Sequence, residues 1–281
     1  MAANRTLIPI TDTRLVGFGN LIRKESRQWW GTGQWLVQTL IWLVIVNGMM
    51  AIVAMAGPKI EEDLAKQAIS QEEAAAARMA LEQTVLMVYF VFSGLATAVG
   101  VVIIEQDAII QERQTGTLAW ILSKPVSRSA FLLAKLLANS GGVLVTMVLV
   151  QGLVAYFIYQ AATGITLPVL NFAFSLGLVY LLLVFYLALT LLLGMLFRSR
   201  GAVIGIPMVL IFGNQLAGIA PWLGKIMPWN LVMDLGPNQP ALAVLLARGL
   251  PLPTVSPILG TALLSLIFIT VGLWRFQYEE L

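Results

Sequence analysis

The chain has no cysteine and no histidine among its 281 residues, and only 11% of them are charged. The first absence removes disulfides, thiolate chemistry, haem ligation and the usual zinc sites, leaving a carboxylate-only site as the sole route to a metal. No metal-dependent catalysis and no metal-ligating residues are therefore expected. No G-x-x-x-x-G-K-[ST] loop occurs, so there is no glycine-rich cradle with a lysine to hold nucleotide phosphates. There is no H-E-x-x-H, no serine lies in a G-x-S-x-G elbow, and no catalytic constellation is visible.

What is abundant is apolar surface. Hydrophobic residues make up 59% of the sequence and the mean hydropathy is +0.86, too apolar for a soluble globular protein of this length. The reading is an all-α integral membrane protein forming one transmembrane domain over residues 1–281. The net charge of +3 does not point to nucleic acid, because the basic residues are scattered at the flanks of apolar runs and form no patch interleaved with aromatics.

A membrane helix needs about 20 mostly apolar residues, at about 1.5 Å each against roughly 30 Å of hydrocarbon. Six segments qualify, near 35–56, 84–104, 136–158, 171–197, 201–220 and 257–274. Thr163-Gly164 through Pro168 and Asn171 divide the long charge-free stretch from Leu136 to Phe197 into two spans. An inside N-terminus places Arg5, Arg14, Arg23, Lys24, Arg27, Arg113, Lys124, Arg128, Lys135, Arg198, Arg200 and Arg275 in the cytoplasm, leaving only Lys59, Lys66, Arg78, Lys225 and Arg248 outside. The positive-inside rule thus predicts both termini cytoplasmic. No cleavable signal peptide is evident, and the first span is expected to act as the insertion signal.

Around the spans, residues 14–30 place Leu15, Phe18, Ile22 and Trp29 on one helical face and Asn20, Arg23, Lys24 and Arg27 on another, the pattern of a helix lying in the membrane interface. Residues 58–83 read as an external charged helix begun by Pro58, with Glu62 and Lys66 spaced i,i+4. Residues 221–257 hold seven of the twelve prolines and cannot form one continuous span; within them Pro240 to Arg248 is a short apolar helix candidate, too short to cross the bilayer.

Polar residues within the spans are few: Asn47, Thr97, Thr146, Gln151, Thr190 and the pair Asn214-Gln215. Each serves either a pathway or hydrogen bonding between helices. Asn47, Gln151, Asn214 and Gln215 are the candidates for a substrate path. The adjacent amides of Asn214-Gln215 lead, being hard to satisfy together on one interface. Gly201-x-x-x-Gly205 before Pro207 permits close helix packing and a kink. No Asp, Glu, Lys or Arg falls between the flanks of the six segments, which disfavours a proton- or sodium-coupled carrier.

One charged, turn-punctuated island interrupts the apolar runs, QERQTGTLAWILSKPVSR over residues 111–128. Gly116 and Pro125 bracket a helix of about two turns, Thr117 is placed to cap its start, and Ser127 is placed to cap the helix that follows. The run of Glu112-Arg113, Gly116-Thr117, a short apolar helix, Ser-x-Pro-Val-Ser-Arg ending at Arg128, and Lys135 resembles the loop between the second and third spans of type-2 ABC exporter permeases. Gln114 and Ala119 depart from it, standing where many members carry acidic residues. The resemblance implies a membrane subunit driven by a separate ATP-binding-cassette ATPase that carries ATP and magnesium, with no cofactor in this chain. It implies a second copy of the chain or a related permease as partner, and a plasma membrane location. It gives residues 105–130 the role of a cytoplasmic coupling loop, with Glu112, Arg113, Gly116, Thr117, Pro125, Ser127 and Arg128 as its coupling residues, residues 14–30 that of an elbow helix near the ATPase, and residues 221–257 that of short external or re-entrant helices capping the outer exit. Glu112, Arg113 and Arg128 either meet the partner or tie the loop internally. A carrier or channel without an ATPase, and a membrane scaffold that transports nothing, are the alternatives.

Overall fold

The computed structural model describes residues 15–67, 70–215, 220–236 and 239–278. Among these residues there is no β-strand, only an isolated antiparallel bridge between Gly236 and Gln239. The helices run as α1 (Phe18–Trp30), α2 (Gln34–Trp42), α3 (Gly48–Gln67), α4 (Gln71–Glu105), α5 (Asp107–Gln114), α6 (Thr117–Leu122), α7 (Arg128–Val143), α8 (Val150–Thr163), α9 (Val169–Leu196), α10 (Arg200–Ile211), α11 (Pro221–Gly224), α12 (Trp229–Val232), α13 (Leu242–Ala247) and α14 (Ser256–Gln277). Widened π-helical turns at Leu43–Asn47 and Leu144–Leu149 join α2 to α3 and α7 to α8.

Among the described residues five helical stretches are long and apolar enough to cross a membrane: Gln34–Gly57, Gln71–Gln114, Arg128–Thr163, Val169–Leu196 and Ser256–Gln277. The sixth expected span, 201–220, is not a continuous membrane-length helix. There α10 stops at Ile211 after 12 residues, about 18 Å of rise, and a 3₁₀ turn follows over Gly213–Gln215. Pro207 removes one backbone donor inside this helix, and Gly213 and Asn214 favour leaving it. The indole Nε1 of Trp229 on α12 donates to Leu210 O at 2.6 Å, satisfying one of the carbonyls the helix end frees.

The expected single external helix over 58–83 is instead two helix ends. α3 continues through Pro58, because the residues that follow include strong helix formers such as Glu61, Glu62 and Leu64. The next helix starts afresh at Gln71, where Ser70 Oγ accepts from Glu73 N at 3.2 Å. Residues 221–257 hold the short helices α11, α12 and α13, the last ending beside Gly249 at φ 73°.

The centre of the bundle is α9, apolar on every side and therefore able to be buried all round. Val179, Leu183, Phe185 and Tyr186 are fully buried, and α4, α13 and α14 pack against it. Gly164, at φ 70°, ends α8 with its N–H on Gln160 O at 2.9 Å, and Pro168 precedes α9.

Candidate functional site

One end of the bundle is organised around residues 105–128. Within it α6 is a two-turn helix whose Leu118 and Ile121 are buried, whereas Trp120 is 62% exposed. The Lys124 ammonium sits 3.4 Å from the Trp120 ring centroid, a cation–π contact on the exposed side. Gly116, at φ 71°, occupies the N-cap position. The expected cap at Thr117 is not made: Thr117 is the first helical residue, and its hydroxyl lies 2.8 Å from that of Thr115. A left-handed Gly116 turns the chain into the helix without a side-chain acceptor. Ser127 caps α7, its Oγ accepting from Ala130 N at 3.1 Å, and its own N–H donates to Val16 O at 3.1 Å.

The two arginines perform one task twice. Arg113 donates through Nη1 to Gly194 O at 3.0 Å and through Nη2 to Met195 O at 3.2 Å, at the C-terminus of α9. Arg128 Nη1 donates to Phe276 O at 3.0 Å and Gln277 O at 3.2 Å, at the C-terminus of α14. Each guanidinium satisfies carbonyls that a helix end leaves open and places positive charge at the negative pole of the helix dipole. Asp107 completes the set, pairing with Arg200 Nε at the start of α10 at 2.7 Å.

Glu112 belongs to a ring of alternating charge that joins three helices. Its Oε1 lies 3.1 Å from Lys24 Nζ on α1 and 3.1 Å from Lys135 Nζ on α7. Glu25 on α1 closes the ring, with Oε1 3.0 Å from Lys24 and Oε2 3.1 Å from Lys135. The side chains of Glu25 and Lys135 are 4% and 5% exposed, so these charges depend on one another for solvation. Burial disfavours the charge on Lys24, but the Glu25 and Glu112 carboxylates outweigh it and raise its pKa above the ordinary lysine value. A raised lysine stabilises the fold below that ordinary value, so its contribution is complete at neutral pH and fades only as pH climbs past it.

A second chain of bonds runs beside the ring. Trp29 Nε1 donates to Asn139 Oδ1 at 2.8 Å, and Asn139 Nδ2 donates to the buried Glu105 Oε2 at 2.6 Å. Gly142 makes room for it, because a Cβ there would overlap the Trp29 ring. Gly142→Ala is expected to destabilise the protein by about 1–3 kcal/mol. It should also shift tryptophan emission to the red as Trp29 is displaced, in a thermal and fluorescence comparison with the unsubstituted protein.

Glu25, Asn139, Glu105 and Asp107 were not singled out from the sequence. One signal for Glu25 exists: Leu21, Glu25 and Trp29, all buried, stand at i, i+4 and i+8 on one face of α1. Glu105 and Lys135 fall one residue outside the expected segments 84–104 and 136–158, whereas the helices of the second and third stretches contain them.

The path candidates separate. Asn47 and Gln151 meet: Asn47 Nδ2 donates to Gln151 Oε1 at 2.7 Å, and Gln151 Nε2 donates to Thr146 O at 2.8 Å and Thr39 O at 3.2 Å. Both are buried and bond the two π-helical turns together. Thr97, Thr146 and Thr190 return their hydroxyls to carbonyls of their own helices, at Ser93, Gly142 and Tyr186. Asn214 lies at the opposite end of the bundle, on a cleft of about 420 Å³, and is not joined to Asn47 or Gln151. Gln215 follows in the same turn, and its side chain lies outside the described residues. Gly201 and Gly205 face open space, so neither serves close packing within one chain.

The described residues thus form an all-helical bundle with several helices long and apolar enough to cross a membrane, and a loop clipped to the ends of three of its helices. The sequence pattern of the ABC-2 family transporter proteins matches residues 20–281, and the chain belongs to that family. Membership makes it a membrane protein of the ABC transporter permease kind. A comparison with curated proteins finds no match.

Proposed function

We propose that this chain is the membrane subunit of an ATP-driven exporter, moving its substrate when a separate ATP-binding-cassette subunit binds and hydrolyses ATP. The observation that carries the reading is the α5–α6 loop. It offers an exposed Trp120–Lys124 face on one side and, through Glu112, Arg113, Arg128 and Asp107, holds α1, α7, α9, α14 and α10 on the other. A push on α6 from a closing ATPase pair would thus reach those five helices together. Gly116, Thr117, Pro125 and Ser127 shape the loop for that contact. This end of the bundle faces the cytoplasm of the plasma membrane, as do both termini, and α1 is the elbow helix beside the ATPase. Two permeases, identical or related, form the pathway between them. The exposed Gly201, Gly205, Val209 and Phe212 face of α10 supports a second copy as the neighbour.

The test is a gentle detergent purification of the chain from its native membrane, with mass spectrometry of what accompanies it. A stoichiometric P-loop ATPase is expected, and Trp120→Ala with Lys124→Glu should weaken its retention about tenfold, the loss of one central aromatic anchor and its cation. A folded, oligomeric protein that retains no ATPase would remove the coupling role from residues 105–130.

A further inference from the structure

The end of the bundle opposite the α5–α6 loop holds a cleft that the energy-coupling reading leaves unused. Arg128 ties the last residues of α14 to the loop, so Ser256 at the start of that helix, some 33 Å away by helical rise, marks the far end. The cleft lies there, between the end of α10, the α11–α12 segment and the first turn of α14, with a volume of about 420 Å³. That is within the usual range for a small-ligand site.

Its walls carry one cation, Lys225, one carboxylate, Asp234, the amides of Asn214 and Asn230, and the hydroxyls of Thr254 and Ser256. Lys225 and Asp234 are not paired with each other, and neither makes an ion pair among the described residues. Several walls are fixed by internal bonds. Asp234 Oδ1 accepts from Ala241 N at 3.2 Å, Asn230 Nδ2 donates to Gly224 O at 2.8 Å, and the hydroxyls of Thr254 and Ser256 lie 3.0 Å apart. Trp229 and Met233 add apolar surface beside the charges. The chemistry is that of a cleft with two opposite charges not paired with each other and neutral hydrogen-bonding groups around them. A singly charged ligand would satisfy one of these charges and crowd its like against the other.

We propose that the cleft binds a small zwitterion, its ammonium end against Asp234 and its anionic end against Lys225. Two sources share this chemistry, the termini of a short peptide and the phosphoethanolamine headgroup of a lipid. The site is read from this chain alone and does not rest on the ATP-driven reading.

The experiment uses the full chain in phosphatidylglycerol nanodiscs, without an ATPase, so its outcome is separate from that of the ATPase purification. Alanyl-alanine and glycerophosphoethanolamine are titrated by calorimetry beside ethanolamine and dimethyl phosphate, which carry one charge each. At least one zwitterion is expected to bind about tenfold more tightly than either singly charged compound, as expected where a second charge-assisted contact is added. Lys225→Gln and Asp234→Asn should each weaken it about fivefold or more; the asparagine keeps an acceptor for Ala241 N, and Lys225 is exposed, so both variants preserve the fold. Binding of the dipeptide alone identifies a solute site. Binding of glycerophosphoethanolamine, with its loss when phosphatidylethanolamine is added to the nanodisc, identifies a headgroup site. No zwitterion binding, no preference over the single charges, or no effect of either substitution overturns the proposal.

Discussion

Lys135→Met is expected to cost about 3–5 kcal/mol of stability, the largest loss among the single substitutions considered for this chain. The ammonium lies between Glu25 and Glu112, 3.1 Å from each, on a side chain that is 5% exposed. Methionine fills similar space and leaves two carboxylates facing each other with only the half-exposed Lys24 between them. The penalty is that of stranded charge, so removing a carboxylate at the same time should return part of it. The double variant Lys135→Met with Glu25→Gln is expected to unfold at a higher temperature than Lys135→Met alone, and that non-additivity is the diagnostic reading. A single variant within about 1 kcal/mol of the parent would mean that water reaches the ring and that α1 is not held by it.

Under the proposed ATP-driven reading, Arg113→Met should separate ATP hydrolysis from transport. The substitution removes two charge-assisted hydrogen bonds to Gly194 O and Met195 O and the positive charge at the end of α9, together about 2–4 kcal/mol. Insertion into the membrane should be unaffected, since the change lies outside the apolar run of α9. With its partner ATPase present, the variant is expected to keep most of its ATP turnover while transport falls at least about tenfold, because the central helix no longer follows the loop. Arg113→Lys should restore little, because one ammonium cannot reproduce a planar fork that reaches two carbonyls. Transport at the parent level in both variants would show that α9 follows the loop by packing alone.

The sequence made the class of fold plain and the site only half so. Runs of apolar residues are counted directly, and that count is what an all-helical membrane protein leaves in its sequence. Where a run ends is a different matter: 201–220 carries no charge, yet α10 leaves the helix at Phe212, where Gly213 and Asn214 favour leaving it and the indole of Trp229, from a later segment, donates to the Leu210 carbonyl. Arg113 and Arg128 stood out as charges in the island, but their partners are main-chain carbonyls at Gly194, Met195, Phe276 and Gln277, which have no residue signature to search for. Glu25 was hidden for the opposite reason. It sits among Arg23, Lys24 and Arg27, where a charge reads as a solvated face, and Lys135, which requires it, lies 110 residues away. Asn47 and Gln151 were visible as polar residues in apolar runs, and only their meeting at 2.7 Å shows that they join helices.

The attachment of α9, α10 and α14 to a single loop restricts how the bundle can deform. Helix ends gathered into one knot have no freedom to slide past one another there, so a change of shape has to be taken up farther along their length. The weak points available are two over-wide turns, at Leu43–Asn47 and Leu144–Leu149, and the missing backbone bond at Pro207. Gln151 links the first two of these, accepting from Asn47 in one and donating to Thr146 O in the other. Bending in the first span is thereby geared to bending in the third, and the far end of the bundle inherits the movement that the knotted end cannot make.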